Sequence, residues 1–229
     1  LENVDRLLKA PSNQRGRDFA IMLAAFNQLG YSVEWRVINA ADYGRAQRRR
    51  RVFFFVFRND TKWGKRLHTK YEATLPTDAD LDTRLACYTP YIFKDGLFAR
   101  QFPVKGEAVK KRINANKLDE DIAEVSANFS DGKMWNSGLM TNGYYYTIET
   151  EPKGDEEPIP MKEIVVSPDQ VPKEYYIDGE KLEKFKYLRG PKKITRTAAN
   201  GHTYTFSEGG MSEYDSLELP GRTMLTSEG

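Results

Sequence analysis

The sequence has very little cysteine and histidine: Cys87 is the single cysteine, and His68 and His202 are the two histidines. One cysteine excludes an internal disulfide and is typical of a protein of the reducing cytoplasm. The histidines are far apart, no cysteine lies beside them, and no CxxC spacing occurs, so we expect no bound metal. These shortages predict a cytoplasmic protein without a structural metal.

Long apolar runs are also missing. The longest, residues 20–26 and 52–57, are far shorter than the roughly 20 residues that span a bilayer, so we expect no membrane segment. The chain begins LENVDRLLK, without a Met or the features of a secretory signal, which indicates a trimmed chain. With 39% hydrophobic and 30% charged residues, the composition is that of a globular protein.

The formal net charge is only +2, but the basic residues are clustered. Between Arg45 and Lys70 the only acidic residue is Asp60, and a second basic run extends from Lys181 to Arg196. Such runs attract phosphate groups. A solvated basic face without a partner gives the same pattern, and both interpretations stay open.

The first 60 residues alternate between helical and strand patterns. Pro11, Ser12 and Asn13 predict a helix start, apolar residues follow at helical spacing, and Gly30 predicts its end. Residues 31–39 alternate and residues 52–57 are continuously apolar, which predicts two strands. Together they suit the edge of a layered α/β sheet, but so few elements cannot close a core. We therefore expect the trailing part of a domain.

Residues 59–90 follow neither period, so they are interpreted as a connection. Beyond Tyr91 the hairpin signals Asp95-Gly96, Asn142-Gly143, Asp178-Gly179 and Asn200-Gly201 predict a β-rich half. The strongest prediction pairs residues 193–197 with 202–207, and a weaker one places a strand at 162–167 between prolines. The expected fold is α/β followed by β-rich, with domains at 1–88 and 89–229.

Two motifs carry a resemblance. Glu2-Asn3-Val4 is followed by Gln47, Arg49 and Arg51 in a QxRxR pattern, which comes after Ala-Asp-Tyr-Gly and before an apolar strand. In order, spacing and context they resemble two motifs of the DNA (cytosine-5) methyltransferases. The tail, residues 220–229, resembles the exit from the family's target recognition domain. The resemblance implies the trailing edge of a Rossmann-like methyltransferase domain, followed by a mainly β target recognition domain.

The resemblance also implies roles. Attack on cytosine C6 requires a proton or strong hydrogen bond at N3, which Glu2 supplies, while Arg51 binds the O2 oxygen. Arg49 braces the site, Asn3 belongs to the same tripeptide, and Gln47 orients neighbouring loops or the displaced nucleotide. The implied partner is double-stranded DNA, with the target cytosine flipped out of the stack. Its phosphates are assigned to Arg45, Arg48 and Arg50.

The sequence departs from the family in two respects. The family nucleophile is a Cys in a Pro-Cys context upstream of ENV, and Cys87 has neither that position nor that neighbour. The glycine-rich loop that helps to bind S-adenosylmethionine is also absent. We expect the chain alone to be inactive and the parent, a bacterial restriction-modification enzyme, to use S-adenosylmethionine. The missing N-terminal segment, or a subunit that carries it, is then a partner.

Sequence reading in the major groove needs donors and acceptors on loops. The candidates around the strong hairpin are Lys192, Lys193, Arg196, Asn200 and His202, with Asn136 and Ser137 as weaker ones. Loop polar groups that face only water are the competing interpretation.

Two other functions stay open. The chain is a non-catalytic DNA-binding module or one subunit of a split methyltransferase, or it is a Rossmann-like domain of unrelated function. In the last case the ENV and QxRxR side chains would point to separate places.

Overall fold

The computed structural model describes residues 1–109, 112–130, 133–198 and 201–223. The chain forms two compact units: Leu1–Tyr43 with Arg49–Glu157, and Gly44–Arg48 with the chain from Pro158 onward. The boundary expected between residues 88 and 89 falls inside the first unit, and the assignment of functional domains stays a prediction. In the described ranges, no helix combines the length and apolar character needed to span a bilayer.

The described residues form mixed α and β structure. The strands are β1 (Glu2–Val4), β2 (Tyr31–Asn39), β3 (Gln47–Arg48), β4 (Arg50–Arg58), β5 (Ile113–Lys117), β6 (Ser137–Thr141), β7 (Tyr144–Ile148), β8 (Lys192–Thr197), β9 (Thr203–Glu208) and β10 (Gly221–Arg222). The α-helices are α1 (Arg17–Gln28), α2 (Lys62–Tyr71), α3 (Leu81–Pro90), α4 (Leu97–Gln101), α5 (Ile122–Asn128) and α6 (Gly179–Arg189). A 3-10 turn at Asp5–Lys9 and a π turn at Tyr91–Asp95 complete the parts that matter for the site.

The first unit is built on a six-stranded sheet in the order β1-β4-β2-β6-β7-β5. Strand β4 is antiparallel to both β1 and β2, so β1 and β2 run in the same direction and α1 connects them. The two predicted strands are confirmed. The predicted helix is also present and ends before Gly30, but it starts at Arg17, because Gly16 at its N-cap has a left-handed φ of 91°.

Residues 1–60 were expected to be too few to close a core, and later residues of this chain supply the strands that complete the sheet. Strand β6 pairs with β2, and β7 and β5 extend the same sheet. One face is covered by α1 and α5, where Phe19, Leu23 and Trp35 are at most 1% exposed. The other face carries a second cluster with Leu67 and Tyr146. The sheet is mainly antiparallel, and both faces are buried.

Several local predictions are wrong because the residues that favour turns also occur where helices begin. The supposed connection at 59–90 contains α2 and α3, whose first turns are capped by Thr61 (3.3 Å to Gly64 N) and Asp80 (2.7 Å to Thr83 N). Asp95-Gly96 and Asp178-Gly179 precede α4 and α6 instead of forming hairpins. Asn142-Gly143 does form the β6–β7 turn, with φ of 47° and 77° as a type I′ turn requires.

In the second unit, β8 and β9 form the predicted hairpin, with Lys193 opposite Ser207 and Arg196 opposite Tyr204. Asn200, in its predicted turn, lies outside the described residues. The strand predicted at 162–167 is wrong. That segment begins with a 3-10 turn, it pairs with no strand among the described residues, and Val165 and Val166 are 46% and 59% exposed.

Candidate functional site

Pairing of β1 with β4 brings the two motifs together. Val4 lies opposite Arg51 and Glu2 opposite Phe53, so the side chains of Glu2 and Arg51 are on the same face of the sheet. Arg51 Nε lies 3.1 Å from Glu2 Oε1. The Glu2 side chain is 49% exposed and that of Arg51 is 20% exposed. A carboxylate and a guanidinium therefore meet at a solvent-accessible sheet edge, where a ligand can reach both.

The neighbouring motif residues have separate surroundings. The side chain of Asn3 accepts a hydrogen bond from Val4 N at 2.7 Å and so supports its own turn. Arg49 is exposed, and its carbonyl accepts from Ala40 N at 3.1 Å. Among the described residues, the Arg49 side chain makes no hydrogen bond to Glu2 or Arg51. Its bracing role stays a prediction.

The QxRxR motif is divided between the two units. Gln47 lies in β3, which pairs in parallel with β10 in the second unit. Arg45 and Arg48 are exposed in that unit, and the Arg48 carbonyl accepts from the Thr223 hydroxyl at 3.0 Å. Arg50, in the first unit, directs Nε to Asp5 Oδ2 at 3.2 Å. The exposed arginines are therefore accessible to phosphate groups.

A buried charged pair on β2 has no counterpart in the sequence predictions. Glu34 is 2% exposed and accepts three hydrogen bonds, from Leu97 N at 2.8 Å, Phe98 N at 2.9 Å and the Tyr91 hydroxyl at 3.1 Å. Burial raises the pKa of this carboxyl group above its usual value, and the hydrogen bonds from Phe98 N and Leu97 N act in the opposite direction. The carboxylate thereby caps α4 and attaches it to the sheet.

Arg36 lies two residues farther along β2 on the same face, and it is also 2% exposed. Its guanidinium donates to the carbonyl of Phe102 at 2.9 Å and to that of Ile92. Burial lowers the pKa of Arg36, and the nearby Glu34 carboxylate opposes that shift. The sequence could have indicated this pair, because charged residues stand within an otherwise apolar strand and such groups are buried only with partners.

Cys87 is in α3, where its thiol donates to the Tyr71 carbonyl at 3.0 Å. Burial raises the pKa of this thiol, which disfavours the reactive thiolate. The geometry agrees with the interpretation of Cys87 as a packing residue. In the described part of the chain, no three His, Cys, Asp or Glu side chains are grouped so that they could hold a metal ion.

The hairpin residues differ in availability. Lys192 is 9% exposed, with its ammonium group 2.9 Å from Glu208 Oε2 and 2.7 Å from the Leu188 carbonyl. Lys193, Arg196 and His202 are exposed, and the Arg196 guanidinium stacks 4.0 Å from the Phe206 ring centroid. Lys192 therefore braces the hairpin, while the other three present polar groups at its surface.

The weaker candidates Asn136 and Ser137 serve the fold. Ser137 is fully buried, with its hydroxyl 2.7 Å from that of Thr150. The Asn136 amide donates to the Thr150 carbonyl at 2.8 Å and accepts from Thr150 N at 2.8 Å. Both side chains join β6 to the chain after β7.

Comparison with known proteins identifies the family. The profile of the C-5 cytosine-specific DNA methylases matches residues 1–211. The type II methyltransferase M.Sau3AI of Staphylococcus aureus is 52% identical over 228 residues, which are 100% of this chain and 50% of that protein. M.NgoBV of Neisseria gonorrhoeae is 37% identical over 133 residues, 52% of this chain and 29% of its own. No solved structure matches the chain significantly. The chain thus spans about half the length of its Staphylococcus relative, and it belongs to the C-5 cytosine-specific DNA methylase family.

Proposed function

We propose that this chain is the cytosine-holding and DNA-reading part of a cytosine-5 DNA methyltransferase of a bacterial restriction-modification system. The observation that carries the proposal is the meeting of Glu2 and Arg51 at 3.1 Å on adjacent strands. These residues come from two motifs that are far apart in the sequence. A domain of unrelated function would have no reason to bring them together at an accessible edge.

The pair has the chemistry that a flipped cytosine needs. A carboxyl group at N3 and the exocyclic amine compensates the charge that develops when C6 is attacked, and a guanidinium at O2 stabilises the same charge. Without a base, Glu2 and Arg51 satisfy each other. When cytosine enters, Glu2 takes up a proton and donates it in a hydrogen bond to N3, its other oxygen accepts from the exocyclic amine, and Arg51 donates to O2.

The remaining chemistry is assigned to the parent enzyme. S-adenosylmethionine supplies the methyl group, and a Pro-Cys thiolate supplies the nucleophile. We place both binding sites outside residues 1–229, because Cys87 is a packing residue and the sequence has no glycine-rich loop after its first strand. The chain's own residues hold and orient the cytosine, and the parent acts in the cytoplasm.

The connectivity of the first strands supports the first of two proposed domain roles. Strands β1 and β2 run in the same direction on either side of β4, and α1 connects them, which resembles a βαβ connection at the trailing edge of a Rossmann-like domain. We assign this role to residues 1–88 and DNA reading to residues 89–229.

The β8–β9 hairpin is the proposed reading element. A two-stranded ribbon fits the major groove of DNA. One face of this ribbon carries only polar side chains, namely Lys193, Thr195, Thr197, Thr203, Thr205 and Ser207. We propose that this face, with Asn200 and His202, reads the sequence. Arg196, on the opposite face beside Phe206, is then free to contact the DNA backbone, and Arg45, Arg48 and Arg50 hold phosphates.

Fusion to the part of M.Sau3AI that this chain does not match tests the proposal. The chain is joined behind the part of M.Sau3AI that precedes its matching region, and transfer of a labelled methyl group to duplex DNA is measured. We expect transfer by the fusion and none by the chain alone. Changing Glu2→Gln in the fusion should remove most of the transfer, whereas Lys65→Met, on an exposed face of α2, should leave it intact. A folded fusion that binds DNA without transfer favours a non-catalytic DNA-binding module.

A further inference from the structure

A cavity of about 310 Å³ lies in the first unit, on the face of the sheet opposite the Glu2–Arg51 pair. Arg50 and Val37 line it, and both belong to the face on which Val52 and Phe54 pack against α1. Because side chains alternate along β4, Arg51 lies on the other face with Phe55 and Phe57. The cavity is therefore distinct from the proposed cytosine site, although neighbouring residues of β4 contribute to both.

The rim of this cavity is strongly basic. Five cationic side chains line it: Lys9, Arg15, Arg50, Arg112 and Lys133. Arg50 pairs with Asp5, and Arg112 pairs with Glu149. Within the described part of the chain, the other three cations have no acidic partner. Five cations against two carboxylates leave a local excess of three positive charges at a solvent-accessible opening.

The wall of the cavity is apolar and aromatic, with Leu8, Val37, Met134 and Trp135. The Lys133 ammonium and the Arg112 guanidinium lie 5.6 Å and 5.7 Å from the centroid of the Trp135 ring. The aromatic ring and two of the cations therefore form one cluster. Inorganic phosphate would use the charges and leave this wall without a contact.

We propose that the cavity binds one 5′-nucleotide unit of a DNA strand, with its phosphate among the cations and its base against Trp135. Bases stack on aromatic side chains whatever their sequence, and lysine and arginine pair with phosphate. A volume of about 310 Å³ is at the lower end of the range for ligand pockets, so it suits a single unpaired nucleotide and excludes a duplex. The assignment of the bound nucleotide to a DNA strand rests on the proposed function. The preference for a nucleotide rests on the cavity's own charges and aromatic wall.

The test uses the whole 229-residue chain and a labelled single-stranded hexanucleotide with a 5′-phosphate, followed by fluorescence anisotropy. dAMP, inorganic phosphate and an unlabelled duplex serve as competitors. We expect dAMP to compete at a lower concentration than phosphate, and the duplex to compete more weakly than unlabelled single strand. Equal competition by phosphate and dAMP, or binding of dAMP without binding of the strand, would overturn the proposal.

Three variants locate the site. Trp135→Leu should weaken hexanucleotide binding about tenfold, because stacking on an aromatic ring is lost. The backbone bonds of Trp135 to Thr147 and Trp35 do not depend on that side chain. Lys133→Met should reduce the slope of log affinity against log salt by about one. Lys65→Met, the matched charge change outside the cavity, should change neither value.

The failure of this proposal is distinct from the failure of the proposed function. Methyl transfer by the fusion tests the proposed function, and the effects of Trp135→Leu and Lys133→Met on hexanucleotide binding test the cavity, so either proposal can fail while the other stands. If Trp135→Leu and Lys133→Met fold with the parental thermal midpoint and bind as the parental chain does, the cavity is not the nucleotide site.

Discussion

Two Glu and Arg pairs on the same sheet have opposite surroundings. Glu2 and Arg51 form an ion pair at an edge, with side chains 49% and 20% exposed. Glu34 and Arg36 lie within β2, each 2% exposed, and their hydrogen bonds attach the sheet to α4 and its flanking turns. Residue type does not separate the two pairs. Solvent access separates them. The exposed pair can exchange its partner for a ligand, whereas the buried pair serves only to stabilise the fold.

The largest expected effect is on the buried pair. Changing Arg36→Met leaves the Glu34 carboxylate buried beside unsatisfied carbonyl groups, and breaking such an arrangement costs about 3–5 kcal/mol. We expect a corresponding loss in the free energy of unfolding, measured by urea denaturation and followed by tryptophan fluorescence. An unchanged midpoint would show that Arg36 does not hold the segment around α4.

The next effect is on activity. In the fusion with the M.Sau3AI segment, Glu2→Gln should lower the rate of methyl transfer about 100- to 1000-fold, because a preorganised charge-stabilising group is lost. Its unfolding free energy should change by no more than about 0.5 kcal/mol, as for exposed surface residues. A large loss of stability together with activity would instead place Glu2 with Glu34, as a structural group.

The pH dependence of stability separates the two carboxylates further. Burial raises the pKa of Glu34 in the folded state above its unfolded value. Its contribution is therefore fully present below the unfolded pKa and is lost as pH rises through the folded pKa. We expect the stability of the parental chain relative to Glu34→Gln to fall as pH rises from acid toward neutral, measured by urea midpoints. A relative stability that rises with pH would contradict the cause given for this shift.

The smallest expected effect is the loss of folding stability when the exposed ion pair is removed. Arg51→Met removes a partly exposed ion pair, and such pairs contribute about 0–1 kcal/mol. We expect a thermal midpoint close to that of the parental chain, measured by circular dichroism. Comparison with Arg36→Met in the same experiment tests the contrast directly, since both changes remove one guanidinium from the same sheet.

Much of the local structure could be predicted. The alternation of residues 31–39, the apolar run before Arg58 and the β8–β9 hairpin each follow from short periods and turn residues, and the structure confirms them. The outcome at the Asp-Gly pairs could not be predicted, because the same dipeptide suits a hairpin turn and the start of a helix. Which one forms depends on whether a partner strand or an apolar surface lies nearby.

For the candidate site, the family resemblance of the ENV and QxRxR motifs named Glu2 and Arg51, and β1–β4 pairing places them on a common face. Their roles stay predictions. Glu34 and Arg36 were missed because their burial depends on α4 and the turn before it, which are distant in the chain. The basic cavity was missed for a similar reason, since residues from 5 to 149 line it.

The sequence by itself determined the family, through ENV and QxRxR, and the elements whose side-chain period repeats over a few residues. Only the tertiary structure decided that residues 113–148 complete the sheet begun by residues 2–58, and which charged pairs are buried. The physical reason is that strand pairing and burial depend on contacts between distant segments, whereas periodicity and capping depend on neighbours along the chain.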